Sequence, residues 1–157
     1  MQTAYLATPL GIAAIIGDEV GISSIKVIDE AVSPSVDIDP VLADAVLQIS
    51  EYFSGTRTQF TFLTNPSGTE FQKKVWDELR QIPHGTTTSY FELSKKLGNI
   101  KAIRAVASAN GKNPLWIIVP CHRVIGTDGS LTGYAGGLWR KKWLLEHESA
   151  SPQHSLF

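Results

Sequence analysis

The spacing of apolar positions changes several times along the chain. Over the first 30 residues they come as short β-rich runs broken by turn signals. Residues 12–16, the turn Gly17-Asp18-Glu19-Val20-Gly21, and residues 22–28 read as strand, turn, strand. DEAVSPSVDIDP (29–40) reads as a loop. The period then becomes helical. Asp39 is placed to cap, Pro40 suits the first helical position, and Leu42, Val46, Ile49 and Phe53 share a face until Gly55 ends the run. QFTFL (59–63) suggests one more strand. No cluster of polar residues in this half resembles a site, so residues 1–64 are expected to form a supporting domain of small β-sheet plus helix.

TNPSG (64–68) looks like a linker. Beyond it the helical period dominates. Thr69 and Gln72 have capping-box spacing, and Phe71, Val75 and Leu79 form a stripe that IPHG stops. Residues 89–98 predict a short helix capped by Ser89 and stopped by Gly98. Residues 101–111 predict a second, closed by Asn110-Gly111. Two short helices on a tight turn make a helix-turn-helix pattern, which also serves as plain packing. NPLWIIVPCHRVIG, the glycine-rich TDGSLTGYAGG and a last helix over 138–148 follow. The polar tail 149–157 is expected to fray. The fold class expected is α+β, with an α-helical, winged-helix-like helix-turn-helix domain over 69–148.

Composition narrows the classes. At 157 residues the chain suits one domain or two small ones, and 43% hydrophobic against 18% charged residues argues against disorder. The opening MQTAYLATPLGIAAIIG has no basic start and is interrupted by Pro9 and Gly11. It therefore reads as neither signal peptide nor membrane span. A single cysteine excludes an intrachain disulfide and any multi-cysteine metal site, and it fits a reducing compartment. The net charge of −1 hides an asymmetry. Residues 1–69 hold two basic and eight acidic side chains, and residues 70–157 hold twelve and seven. The second half therefore suits a polyanionic partner, or simply carries a solvated basic helix face.

The lone cysteine sits in PCHRVIG, with His122 and Arg123 directly after it. A reactive thiol is favoured by a positive, partly polar setting, whereas a structural one is expected among apolar neighbours. His122 can act as base, directly or through a water, and Glu148 on the last helix can orient it. A zinc-deaminase reading fails, because Val124 stands where a second cysteine would be needed. In the second helix of the pair, Ala102, Ala105, Ala107 and Ala109 keep the helix thin and Arg104 projects from it.

PCHRVIG, then TGYAGG, then KKWLLEHE resemble the O6-alkylguanine-DNA alkyltransferase (methylated-DNA–protein-cysteine methyltransferase) family, in its stand-alone bacterial form. The match runs from about Gly68 to Glu148. The resemblance implies one irreversible transfer of an alkyl group from O6 of a flipped guanine to Cys121, with O4-alkylthymine a possible second substrate. It implies His122 as a water-linked base backed by Glu148, and Asn113 as the brace of the cysteine loop. Tyr90 and Arg104 would rotate the nucleotide out, on a helix that presents Ala102 and Ala105 to the minor groove. Tyr134 and the Val124 carbonyl would line the guanine pocket with Lys141 near its rim. Ala135 would stand where some relatives have a serine. The expected partner is double-stranded DNA, the expected state a cytoplasmic monomer, and neither membrane, cofactor nor metal is expected. Two rivals remain: a helix-turn-helix protein that binds lesions without chemistry, and a thiol hydrolase built on Cys121, His122 and Glu148.

Overall fold

Alternation of apolar with small or polar side chains gives a three-stranded antiparallel sheet in the computed structural model, which describes residues 1–149. Its strands are β1 (Gln2–Thr8), β2 (Gly11–Asp18) and β3 (Gly21–Ile28), in that spatial order. The register sets Ala4 opposite Ile15 and Ile15 opposite Ile25, and all three are buried. The loop at 29–39 protects the edge of β1: Ser35 N–H donates to the Tyr5 carbonyl, and Tyr5 N–H donates to Ser35 Oγ, both at 2.8 Å. α1 (Pro40–Ser54) packs on β1 and β2 through Leu42, Ala45, Ile49 and Tyr52. Asp39 Oδ1 accepts from Val41 N–H at 3.0 Å, and Gly55 closes the helix at φ 84°, a left-handed conformation that glycine adopts without a Cβ penalty.

The strand expected at QFTFL does not form. Residues 59–63 join no ladder, and only Thr64 makes an isolated bridge, to Ile22. Side chains hold the segment instead. The Gln48 amide grips Thr61 twice at 2.8 Å, and Phe60 packs against Tyr52 and Phe62. Pro114–Trp116 completes this first unit, which otherwise spans Met1–Ser67. Ile25 N–H donates to the Pro114 carbonyl and Trp116 N–H donates to the Ile25 carbonyl.

The second unit comprises Gly68–Asn113 and the chain from Ile117 on. α2 (Glu70–Leu79) starts at the anticipated capping box: Thr69 Oγ1 accepts from Gln72 N–H, and Gln72 Oε1 accepts from Thr69 N–H. Phe71, expected on the apolar stripe, is exposed. The face turned toward the later helix runs through Val75, Trp76 and Leu79, and Trp76 Nε1 donates to the Ala109 carbonyl at 2.9 Å. β4 (Thr88–Ser89) leads into α3 (Tyr90–Lys96), whose N-terminus is capped by Ser89 Oγ. The second helix of the pair begins as a 3₁₀ turn over Ile100–Ala102 and becomes α4 over Ile103–Gly111. The helix ends at Gly111, where the sequence placed its stop. Gly111 is still helical, Asn110 is buried, and Lys112 N–H closes the helix on the carbonyls of Ser108 and Ala109. β5 (Val124–Ile125) pairs in parallel with β4, and α5 (Leu138–Glu148) ends the described chain. The architecture is α+β, with the three-stranded sheet in the first unit and the short β4–β5 pair and most helices in the second. No described helix is long and apolar enough to cross a membrane. Apart from Ser149, the tail lies outside the described residues.

Candidate active site

Cys121 is delivered by a strained turn. Ile117, a β-branched and buried residue, adopts φ 74°. Such a conformation costs roughly 1–3 kcal/mol and persists only where the surroundings impose it. From there Ile118, Val119 and Pro120 lead into a 3₁₀ turn over Cys121–Arg123, all of it buried. Asn113 Nδ2 donates to the Val119 carbonyl at 2.7 Å and to Cys121 Sγ at 3.4 Å. Lys141 and Tyr134 also face the sulfur electrostatically or through a hydrogen bond.

One expectation needs correction here. Burial pushes the Cys121 thiol up, and the Asn113 and Tyr134 hydrogen bonds and the Lys141 charge offset this only in part. The resting sulfur is therefore a thiol, and the positive, partly polar setting read from its His-Arg neighbours does not outweigh its burial. Lys141, which the resemblance sets near the rim of the guanine pocket, acts electrostatically on the sulfur. It is wholly buried, donates to the Thr132 carbonyl at 3.3 Å, and burial lowers its pKa to about 8.

Around His122 lies a second cluster. Its Nε2 is 2.7 Å from Glu148 Oε2, and its Nδ1 is buried without a hydrogen-bond partner among the described residues. Burial outweighs the nearby carboxylate and lowers the His122 pKa, so the ring is neutral. A carboxylate at Nε2 fixes the proton there and leaves the Nδ1 lone pair basic. Burial opposes the charge on Glu148, but His122 and Arg123 hold its carboxyl well below the usual range. Arg123 binds it twice, Nε to Oε1 at 2.7 Å and Nη2 to Oε2 at 3.0 Å, while Nη1 donates to the Ile82 carbonyl at 2.7 Å. The sequence placed Arg123 only in the positive setting of the thiol and did not anticipate its pairing with Glu148, although its place directly after Cys-His was the available signal.

The remaining residues fall into three places. Arg104 and Ala105 are exposed on α4, with Ala102 half-buried at its start. Val124 is buried in β5, Tyr134 is half-buried, and Ala135 is exposed in the loop before α5. Tyr90, half-buried at the start of α3, accepts a 3.3 Å hydrogen bond from Asn110 Nδ2, a residue that the sequence gave only a helix-stop role. His122 makes no direct hydrogen bond to Cys121 among the described residues, so any proton path between them needs an intermediary.

The family models settle the kinship. The 6-O-methylguanine DNA methyltransferase DNA-binding domain matches residues 70–150, and the ribonuclease-like domain of the same proteins matches residues 1–66. The chain belongs to the 6-O-methylguanine DNA methyltransferase family. A Methanosarcina acetivorans methylated-DNA–protein-cysteine methyltransferase is 43% identical over 96% of this chain and 99% of its own. The crystal structure of the Mycobacterium tuberculosis O6-methylguanine methyltransferase superposes with a TM-score of 0.82 at 41% identity, covering 95% of this chain and 94% of that one. Mycobacterium tuberculosis OGT in complex with DNA matches equally well, at 40% identity over 93% and 94% of the two chains. The family's two-part organisation thus covers this chain from its sheet to the last described helix.

Proposed function

We propose that the protein repairs DNA by direct reversal, moving the alkyl group of O6-alkylguanine to Cys121 in a single irreversible turn. The observation that carries this reading is the thiol braced by Asn113 next to a His122 that Glu148 fixes in one tautomer, in a family whose members bear the methyltransferase name. The thiol proton passes through a water to His122 Nδ1, and Glu148 stabilises the resulting imidazolium. Sγ forms a bond to the alkyl carbon as the O6–carbon bond breaks, and that electron pair leaves with the guanine. Lys141 stabilises the developing thiolate, and Tyr90 donates a hydrogen bond to the departing base. Tyr134, the Val124 carbonyl and Ala135 line the base pocket. The product is a thioether with no hydrolytic route back, so no regeneration follows.

The reacting carbon is out of reach while the base is stacked, so the nucleotide must be flipped. Arg104 is the wedge that fills the gap, and the small residues Ala105 on α4 and Ala102 in the turn before it suit a minor-groove approach by a monomer. The Methanosarcina name and the DNA complex of the Mycobacterium relative support the substrate class. A cytoplasmic setting suits a single thiol that must stay reduced.

Incubation with a duplex containing O6-methylguanine, followed by mass spectrometry, tests the reading. One methyl on Cys121, then no further reaction, is expected. Continued release of product would instead favour a hydrolase, and an unmodified protein that still binds the lesion would favour a non-enzymatic binder.

A further inference from the structure

Asn110 stands out because neither the helix-turn-helix nor the cysteine loop accounts for it. It is 4% exposed in the last turn of α4, on the helix that carries Arg104. Its Nδ2 donates to Tyr90 Oη at 3.3 Å. Its Oδ1 is buried with no hydrogen-bond partner among the described residues. A buried amide left half-satisfied is unfavourable, and one in a native site calls for a reason.

The donor direction supplies one. A primary amide presents two donors on one side and an acceptor on the other, whereas a phenol has one proton and lone pairs. With Nδ2 on Oη, the amide occupies a lone pair and cannot take the phenolic proton. With the amide reversed, Oδ1 would accept that proton and Tyr90 would have none to offer a substrate. The orientation in the structure leaves the Tyr90 proton free and the Asn110 oxygen unpaired.

We propose that Asn110 is a positioning residue that aims the Tyr90 hydroxyl proton at the departing base, an assignment that rests on the alkyl-transfer reading above. As the O6–carbon bond breaks, its electron pair passes to the base, and the hydrogen bond from Tyr90 stabilises that charge. Asn110 touches neither substrate nor sulfur and acts through the phenol alone. It also ties the helix bearing Arg104 to the start of α3, so the DNA-reading helix and the proton donor share one side-chain contact.

The test is a double-mutant cycle. Asn110→Leu removes both polar atoms, and Asn110→Asp keeps the shape but offers the phenol only acceptors. Each is made with Tyr90 intact and in the Tyr90→Phe background. The first-order rate of methyl transfer from saturating O6-methylguanine duplex is measured beside duplex affinity and the rate of Cys121 alkylation by iodoacetamide. With Tyr90 intact, either substitution should slow transfer by about tenfold, the worth of one well-made hydrogen bond. Duplex affinity and iodoacetamide alkylation, which need no leaving base, should stay within about twofold. In the Tyr90→Phe background the same substitutions should change transfer by less than about twofold, because the hydroxyl they act through is gone. If Asn110→Leu fails to fold, the near-isosteric Asn110→Asp carries the cycle alone. Equal losses in both backgrounds, or no loss with Tyr90 intact, would overturn the assignment while wild-type transfer stands. A wild-type protein that takes no methyl at Cys121 would overturn both it and the alkyl-transfer reading.

Discussion

Glu148 meets three demands with two oxygens: it fixes His122, holds Arg123 in a two-point pair, and keeps its own charge in a buried place. Removing that charge leaves Arg123 buried without its carboxylate. Glu148→Gln should therefore lower stability by about 3–5 kcal/mol, read from the urea midpoint, and slow methyl transfer as well. The same cluster sets the response to acid. Both His122 and Glu148 have folded pKa values below their ordinary ones, so the unfolded chain binds more protons and stability falls as pH falls. For His122 the loss begins as pH drops through its ordinary 6.5, and for Glu148 it begins near 4.5 and continues down through its folded value. Thermal melts should hold near pH 7, decline below 6.5 and steepen below 4.5. A curve flat to pH 5 would mean that His122 is not held neutral.

Among the elements, α2 and α4 depend on one indole. Trp76 reaches the Ala109 carbonyl, and a Cβ built on Gly68 would lie 2.5 Å from Trp76 Cη2. Gly68→Ala should push the ring off its place and cost about 1–3 kcal/mol, the usual range for overpacking, with a lower melting temperature as the readout. Arg104, exposed on α4, makes a different prediction. Arg104→Ala should slow repair of duplex far more than reaction with free O6-benzylguanine, because the free base needs no flipping. Single-turnover rates on both substrates decide it, and equal losses would assign Arg104 to the pocket or the fold.

For the molecule as a whole, alkylation should be a structural event. Cys121 is buried beside a strained turn, and a methyl added there is a small-to-large change that costs roughly 1–3 kcal/mol. Since small domains hold only about 5–15 kcal/mol, the melting temperature should fall by several degrees and duplex affinity should weaken. Melting curves and binding isotherms before and after stoichiometric methylation test both. Unchanged values in both would rule out the coupling, and a lower melting temperature alone would keep only the packing argument.

What the sequence by itself determined was local. Asp39 with Pro40, the Thr69–Gln72 capping box and the Ser89 cap act within four residues, so their spacing decided where α1, α2 and α3 begin. The cysteine motif is equally local, and its resemblance named the family and the residues to examine. The tertiary structure decided whatever depended on partners far along the chain. Whether QFTFL became a strand turned on the Gln48 amide, 13 residues before Thr61. The Arg123 contacts with Glu148 and Ile82 span 25 and 41 residues, and the Asn110–Tyr90 contact spans 20. Burial did the rest. It holds the resting sulfur as a thiol and encloses Lys141 beside it. The physical reason is one of range. Caps and periodicity gain their energy within a turn of helix or a strand pair, whereas desolvation and long-range hydrogen bonds exist only once distant segments have closed on each other.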